Sequence, residues 1–586
     1  MQYSQQTLAL FENHYKRGDE SIPDMFLNRV APCFSGGNEE LAAFLGDALV
    51  KEWWIPSSPI ISSAIREIEW KDGKPIPKTK LHGQPIACYK TYVPDTVPGL
   101  ISHMEEVAHL SVAGGGVGGH WSSVRSPDDK SPGPIPFINT IDRIVLAYKQ
   151  GKTRRAAYSA YMDVSHPQIM EHISIRKPTG GDINRKSLNL HNGVNISDAF
   201  MEACINNEPW DLICPHTKKV VDTVNPREIL QNIIETRMVT GEPKIAFIDT
   251  ANRALNPFQK KLGLKIHGSN ICNEIFLPTN EERTAVCCLS SLNLAKYDEW
   301  KDTPLVDYLV EFLDNVIEFF ITLAPDELAR AKFSASRERS IGIGTLGWHT
   351  YLQRKRIPFE SALAISATHR IYSDIQKKAI AASERLAKER GEPEDIKGSG
   401  RRNAHLMAIA PNANSSMFLN VSPGIEPYFA NVYPHRTRVG THMVINPVLE
   451  EMLEDFGMNT EEVIHSIATN RGSVQHLDWL PEEEKAVFKT FEEIDQSWVI
   501  EQAAARQQYI DQGQSLNLRF ANEVKRSDVL ALHIMAWKKG LKGLYYLRHT
   551  TGISSALEKE ENPIHTKVSV TLKDVLNSEE ICIACD

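Results

Sequence analysis

Nine cysteines stand in this chain, and their positions carry most of the chemistry the sequence offers. One lies in the run SNICNEI, residues 269–275. Read as a strand, the run turns alternate side chains to opposite faces, so Asn270, Cys272 and Glu274 share one face at successive spacings of about 6.6 Å. An amide, a thiol and a carboxylate in a row suit an active site. They equally suit a thiol packed as a small hydrophobe between two solvated polar residues. Cys88 lies in ACYKTYV, and Cys287 and Cys288 lie in AVCCLSSLNL, so separate strands can bring single thiols together inside a barrel. Neighbours on a strand face opposite ways, so only one of Cys287 and Cys288 points to a shared site. Cys582 and Cys585 form a C-x-x-C at the end of the chain. Such pairs exchange disulfides readily when exposed. A zinc site needs two more ligands, and no second C-x-x-C and no H-x-x-x-H occurs. Cys33, Cys204 and Cys214 read as structural thiols.

The elements that must position these groups alternate in type. Strand-like runs include PIACYKTYV, LNLHNGVNI, KIAFID, NICNEIFL, AVCCLSSLNL, IGIGTLGW, HLMAIAP and GLYYLRH. Helical periodicity covers residues 39–54, 98–112, 226–239, 303–323, 359–390, 482–493 and 527–539. In the 303–323 stretch Thr303 caps, Pro304 suits the first turn, and Leu305, Leu309, Phe312, Val316, Phe319 and Phe320 fall on one face. Strands alternating with helices over the whole length predict an α/β fold, either barrel or doubly wound sheet. The AGGGVGG run lacks the strand and acidic partner of a dinucleotide fingerprint, which excludes a Rossmann reading. No apolar run reaches the length of a membrane span. A net charge of −9 gives no nucleic-acid surface. The first twenty residues lack the pattern of a secretory signal, so the expected compartment is the reducing cytoplasm, where cysteines serve catalysis or packing rather than a disulfide framework.

Taken in order, SNICNEI, C-x-L-S-S-L-N-L, the AP-x-x-x-SS loop followed by GIEP, the Tyr545-Tyr546 pair and the terminal cysteine pair resemble the large, catalytic subunit of class I ribonucleotide reductases. The resemblance runs from about residue 56 to the end. It implies a ten-stranded α/β barrel of two half-barrels around a central finger loop with Cys272 at its tip. A helical region at 1–55 would precede a barrel at 56–565, and a flexible redox tail at 566–586 would follow. The resemblance also implies roles. Cys272 carries a thiyl radical that takes the ribose 3′-hydrogen. Asn270 and Glu274 bind the ribose hydroxyls, with Glu274 as general base. Cys88 and Cys287 reduce the 2′-carbon and leave as a disulfide. Tyr545 and Tyr546 relay the radical, although alone they read as two β-formers. Cys582 and Cys585 re-reduce the disulfide and are themselves reduced by thioredoxin or glutaredoxin.

Substrate contacts implied in the same way are Ser58, Ala87, Gly116, and Ala413, Asn414 and Ser415 of the PNANSS loop, where backbone N–H groups can cradle a phosphate. That loop also reads as a simple turn. Asp95 and Arg125 match contacts for a deoxynucleotide or ATP specificity effector, and both equally suit a charged surface. Lys152, Arg154 and Arg155 are further effector candidates, and residues 176–186 resemble a loop relaying effector identity. The resemblance implies a homodimer, no metal or cofactor in this subunit, and a radical delivered by a metal-containing small subunit. Only about fifty residues precede the first matched motif, so no ATP-cone and no dATP shut-off through one are expected. Two other activities fit parts of the pattern. An adenosylcobalamin-dependent reductase would need no tyrosine relay, and a non-catalytic nucleotide-binding homologue would need no placed thiols.

Overall fold

The computed structural model describes residues 3–148, 156–437, 440–521 and 524–549. Cys582 and Cys585, with Lys152, Arg154 and Arg155, lie outside the described residues.

The N-terminal region is helical, through Gln5–Leu10, Ile22–Met25 and Glu39–Val50 among other short helices. Arg29, which is 1 % exposed, ties it together and to the segment around Ile61. Its guanidinium pairs with Glu20 at 2.8 Å and donates to the carbonyls of Tyr15 and Ile61.

Five parallel strands come next: Cys88–Tyr92, Gly116–His120, Tyr158–Asp163, His191–Ile196 and Lys244–Phe247. A second parallel set runs from Leu289–Asn293 through Gly342–Leu346 to bridges at Met407 and between Ile409 and Gln514. It ends where Leu518–Phe520 pairs with Leu547–His549. Two antiparallel seams join the sets. At one, Ala285–Cys287 lies against Cys88–Tyr92; at the other, Gly543–Leu544 lies against Lys244–Phe247. Residues 285–293 and 543–549 each cross from one set to the other, and Tyr545 N–H donates to Leu516 O at 2.8 Å. Among the described residues ten strands thus close a ring, which leaves few exposed edges to pair elsewhere.

Helices cover the outside, and their ends follow local rules. Asn225 accepts the Arg227 N–H, Pro226 opens the first turn, and Gly241 at φ +78° ends helix Pro226–Thr240. Helix Leu305–Leu323 begins as Thr303 Oγ1 takes the Leu305 N–H, and Leu309, Phe312, Val316, Phe319 and Phe320 are fully buried. Among the described residues no helix is long and apolar enough to cross a membrane.

In the first parallel set two strands, Gly116–His120 and Tyr158–Asp163, are not among the strand-like runs read from sequence. The first, GVGGH, has almost no β-formers because of what runs beside it. A Cβ on Gly118 would meet Ser269 O at 2.2 Å and Asn270 Cα at 2.8 Å. Glycine stands there because another backbone passes through the barrel against it.

Candidate active site

That backbone belongs to residues 264–284, which leave the first strand set and thread the barrel before the Ala285–Cys287 strand. The strand expected at 270–277 does not form. Asn270 Oδ1 accepts the N–H groups of Glu274 and Ile275, both at 3.1 Å, and Asn273 takes a left-handed φ of +64°. The run is therefore a turn closed by its own amide, and Asn270, Cys272 and Glu274 do not form one face of a strand. Alternation failed as a guide because no neighbouring strand pairs here to pull the chain straight.

Side chains from both strand sets hold the turn by its carbonyls. Tyr161 donates to Asn270 O at 2.9 Å, Lys244 to Ile271 O at 2.5 Å, Ser515 to Cys272 O at 2.5 Å and Lys90 to Leu277 O at 2.8 Å. Asn273 Nδ2 reaches Ile245 O at 2.8 Å. Asn270, Cys272, Asn273 and Glu274 are all fully buried. Such pinning fixes a reactive side chain to a fraction of an ångström, as chemistry at a single atom requires.

Lys90, used this way, stays short of full charge. Burial pushes Lys90 down to about 7. Between pH 7 and the ordinary lysine range the unfolded chain binds more protons than the folded one, so Lys90 makes stability rise with pH across that window. Lys90→Met should flatten that alkaline rise in urea midpoints measured from pH 7 to 10. An unchanged slope would show that the lysine is charged in the fold.

The thiols meet at the turn. Cys88 and Cys287 are directly opposed across the first seam. Opposed residues of an antiparallel pair have Cα atoms about 4.5–5.5 Å apart, inside the reach of a disulfide. Burial first, and the neighbouring Cys88 thiol and Glu274 after it, push the Cys287 thiol well above its ordinary range. Cys288 faces the other way, its Sγ on Leu313 O at 3.7 Å within the outer helical layer. Cys272 receives the Tyr545 hydroxyl on its Sγ at 3.6 Å. The Tyr545 and Tyr546 rings pack with centroids 4.0 Å apart and their planes tilted by 40°. Cys88, Cys272, Cys287, Tyr545, Tyr546 and Ala87 belong to one packed cluster.

The remaining positions fall into two places. Ser58 and Asn414 line a cleft of about 360 Å³ together with Tyr15 and Gln84, and Ser58 Oγ is 2.7 Å from the Tyr15 hydroxyl. Ala413, Asn414 and Ser415 form the first turn of helix Ala413–Leu419. The N-cap residue Asn412 gives that turn no side-chain cap, since its amide turns inward to Ser291 and Thr345. Ala413 also lines a cavity of about 220 Å³ that reaches Tyr545, Arg519 and Arg548. Gly116 begins its strand beside Cys88. Asp95 and Arg125, by contrast, follow the far ends of their strands. They bind each other at 2.9 Å, and His216 joins Asp95 at 3.2 Å.

Sequence reasoning missed the groups that hold the turn: Tyr161, Lys90, Lys244 and Ser515. A lysine inside an apolar strand run, as in KIAF and CYKTY, was the one signal available, because a buried ammonium must find a carbonyl or carboxylate.

Comparison with known proteins agrees with this geometry. Residues 86–395 and 393–547 match the family model "Ribonucleotide reductase, barrel domain". The chain is 51 % identical over 543 residues to a putative ribonucleoside-diphosphate reductase large subunit of Frog virus 3, covering 92 % of this chain and 93 % of that one. It is 41 % identical over 601 residues to the ribonucleoside-diphosphate reductase large subunit of Invertebrate iridescent virus 3, with the same coverage. Its fold superposes on the alpha subunit of the class Id ribonucleotide reductase of Actinobacillus ureae with a TM-score of 0.81 and 32 % identity, covering 94 % of this chain and 97 % of that one. The chain belongs to the ribonucleotide reductase family, as one of its large subunits.

Proposed function

We propose that this chain reduces ribonucleoside diphosphates to 2′-deoxyribonucleoside diphosphates, with Cys272 as the radical thiol and Cys88 and Cys287 as the reductants. The observation that carries the reading is the convergence of three thiols from separate elements in one buried cluster, with Tyr545 donating to Cys272. The names of the viral relatives favour the diphosphate as substrate.

A one-electron oxidant on a small subunit draws an electron through Tyr546 and Tyr545, and the Cys272 thiol loses its hydrogen atom to the tyrosyl oxygen. The Cys272 thiyl radical then takes the ribose 3′-hydrogen as an atom. Glu274 removes the 3′-hydroxyl proton while the 2′-hydroxyl leaves as water with a proton from the thiol pair. Cys88 and Cys287 supply two electrons and become a disulfide. Cys272 finally returns its hydrogen to C3′, and the radical passes back. Burial protects the radical from solvent. Ser58 and the 413–415 amides hold the phosphates, while Asn270, Ala87 and Gly116 bound the sugar. Asp95 and Arg125 serve an effector at the opposite end of the first strand set. Cys582 and Cys585 reach in to reduce the disulfide, and thioredoxin or glutaredoxin renews them. The active form is a homodimer with the small subunit.

The test is nucleotide reduction with and without a radical-generating small subunit, followed by mass mapping of disulfides after one turnover without reductant. The expected result is turnover only with that subunit and one Cys88–Cys287 bond per product. Turnover by the chain alone with adenosylcobalamin, or product formed with both thiols still free, would overturn the reading.

A further inference from the structure

Tyr546 opens onto a buried ionic cluster that the proposed reaction leaves unused. Its hydroxyl lies 3.4 Å from Nδ1 of His191, the first residue of its strand. The same Nδ1 lies 2.6 Å from Glu242 Oε1. Glu242 is fully buried and also meets Arg176 at 2.5 Å and Lys244 at 3.8 Å, with the Asn192 N–H at 3.4 Å. Burial works against its charge, yet Arg176, His191 and Lys244 hold its carboxyl well below the usual range. The groups over the Tyr546 ring are cations. The Arg548 guanidinium stands 4.2 Å from its centroid and the Lys244 ammonium 5.4 Å. Arg237 donates to the Tyr545 carbonyl at 3.0 Å.

A phenol that gave up an electron here and kept its proton would become a cation among cations. The proton has to leave with the electron, and the arrangement contains a place for it. We propose that His191, held by Glu242, takes the phenol proton of Tyr546 each time that tyrosine is oxidised, an inference that rests on the relay reading of Tyr545 and Tyr546.

In this step the electron goes to the one-electron oxidant delivered by the small subunit, and the Tyr546 O–H bond breaks. The phenol proton enters the His191–Glu242 pair, whose Nδ1 and Oε1 share one proton across 2.6 Å beforehand and hold two afterwards. A neutral tyrosyl radical, a neutral imidazole and a protonated Glu242 result. Every transfer reverses when the radical returns. His191 is the group that meets the phenol proton, Glu242 is the group that ends protonated, and Arg176 is a positioning residue that holds Glu242.

The test uses the holoenzyme with its small subunit, comparing native chain, Tyr546→Phe, His191→Gln, His191→Gly and Glu242→Gln. Tyr546→Phe should abolish turnover. His191→Gln should lower turnover at pH 7 by on the order of 10²-fold and make it rise with pH as hydroxide replaces the lost acceptor. Glu242→Gln should fall between it and the native chain. Imidazoles added to His191→Gly should restore turnover in the order of their basicity, which filling a hole would not produce. If Tyr546→Phe is inactive while His191→Gln keeps native turnover and pH profile, the relay stands and the proton assignment falls. The assignment also falls if His191→Gln is slow but flat with pH and rescue ignores basicity. If Tyr546→Phe turns over normally, the relay reading fails and takes this inference with it.

Discussion

Replacing Cys272 with serine should lower nucleotide reduction by on the order of 10⁴-fold or more while leaving the fold in place. Serine differs from cysteine by one atom, and the turn is held through carbonyls, not through the sulfur. Ser515 still reaches the carbonyl of residue 272, and Lys244 still reaches that of Ile271. What changes is the strength of the bond that must be broken. A serine O–H is far stronger than a thiol S–H or a tyrosine O–H, so a tyrosyl oxygen 3.6 Å away can take hydrogen from sulfur and not from a serine hydroxyl. Substrate affinity measured by equilibrium binding should stay close to that of the native chain. A variant retaining more than a few per cent of turnover would remove Cys272 from the centre of the mechanism.

The largest loss of stability should come from Asp314→Ala. Asp314 lies on the buried helix Leu305–Leu323 and is 1 % exposed. Its carboxylate accepts from Arg339 at 2.7 Å, Arg390 at 3.2 Å, and Arg402 and Asn403 at 3.3 Å each. These partners come from separate segments, so one carboxylate ties the central helix to helix Ala362–Arg390 and to the chain on either side of it. Removing it leaves the buried Arg339 guanidinium, and the partly exposed ones of Arg390 and Arg402, short of a counter-charge, a loss on the order of 3–5 kcal/mol. Equilibrium urea unfolding reads this directly. The double variant Asp314→Leu with Arg339→Met should recover part of the loss, because it removes charge from both sides.

The same carboxylate sets an acid limit. Burial opposes its charge, but Arg339, Arg402 and Arg390 hold its carboxyl below the ordinary aspartate range. A depressed carboxyl contributes stability that is present above its unfolded value and is lost as pH falls through the folded one. The native chain should therefore lose stability below about pH 4, and Asp314→Ala should lack this part of the acid limb. Parallel acid profiles for the two chains would show that the network contributes no net charge stabilisation.

Much of the molecule was legible in one dimension. The helix Leu305–Leu323 announces itself through six apolar residues on one face, and the strands holding Cys88 and Cys287, with those on either side of Tyr545, through short runs of β-formers between turn residues. Where reading failed, the cause lay in tertiary contacts. Gly116–His120 looks like a flexible glycine run until the backbone at Ser269 is laid against Gly118. The run at 270–275 looks like a strand until Asn270 is seen folding back onto the amides of Glu274 and Ile275. Asp95 and Arg125 look like independent surface charges, and they bind each other.

Taken alone, the sequence determined which residues have the chemistry: a thiol between an amide and a carboxylate, two further thiols in apolar runs, and adjacent tyrosines. Residue type and short-range order are local properties, and local physics reads them. Only the tertiary structure decided that Cys88 opposes Cys287, that Cys288 turns outward, and that Tyr545 reaches Cys272. Those contacts span up to 273 positions of chain. They depend on how two strand sets close around a turn held by buried lysines, tyrosine and serine. Closure of that kind is a property of the whole ring, because each strand's register is set by its two neighbours and not by its own residues.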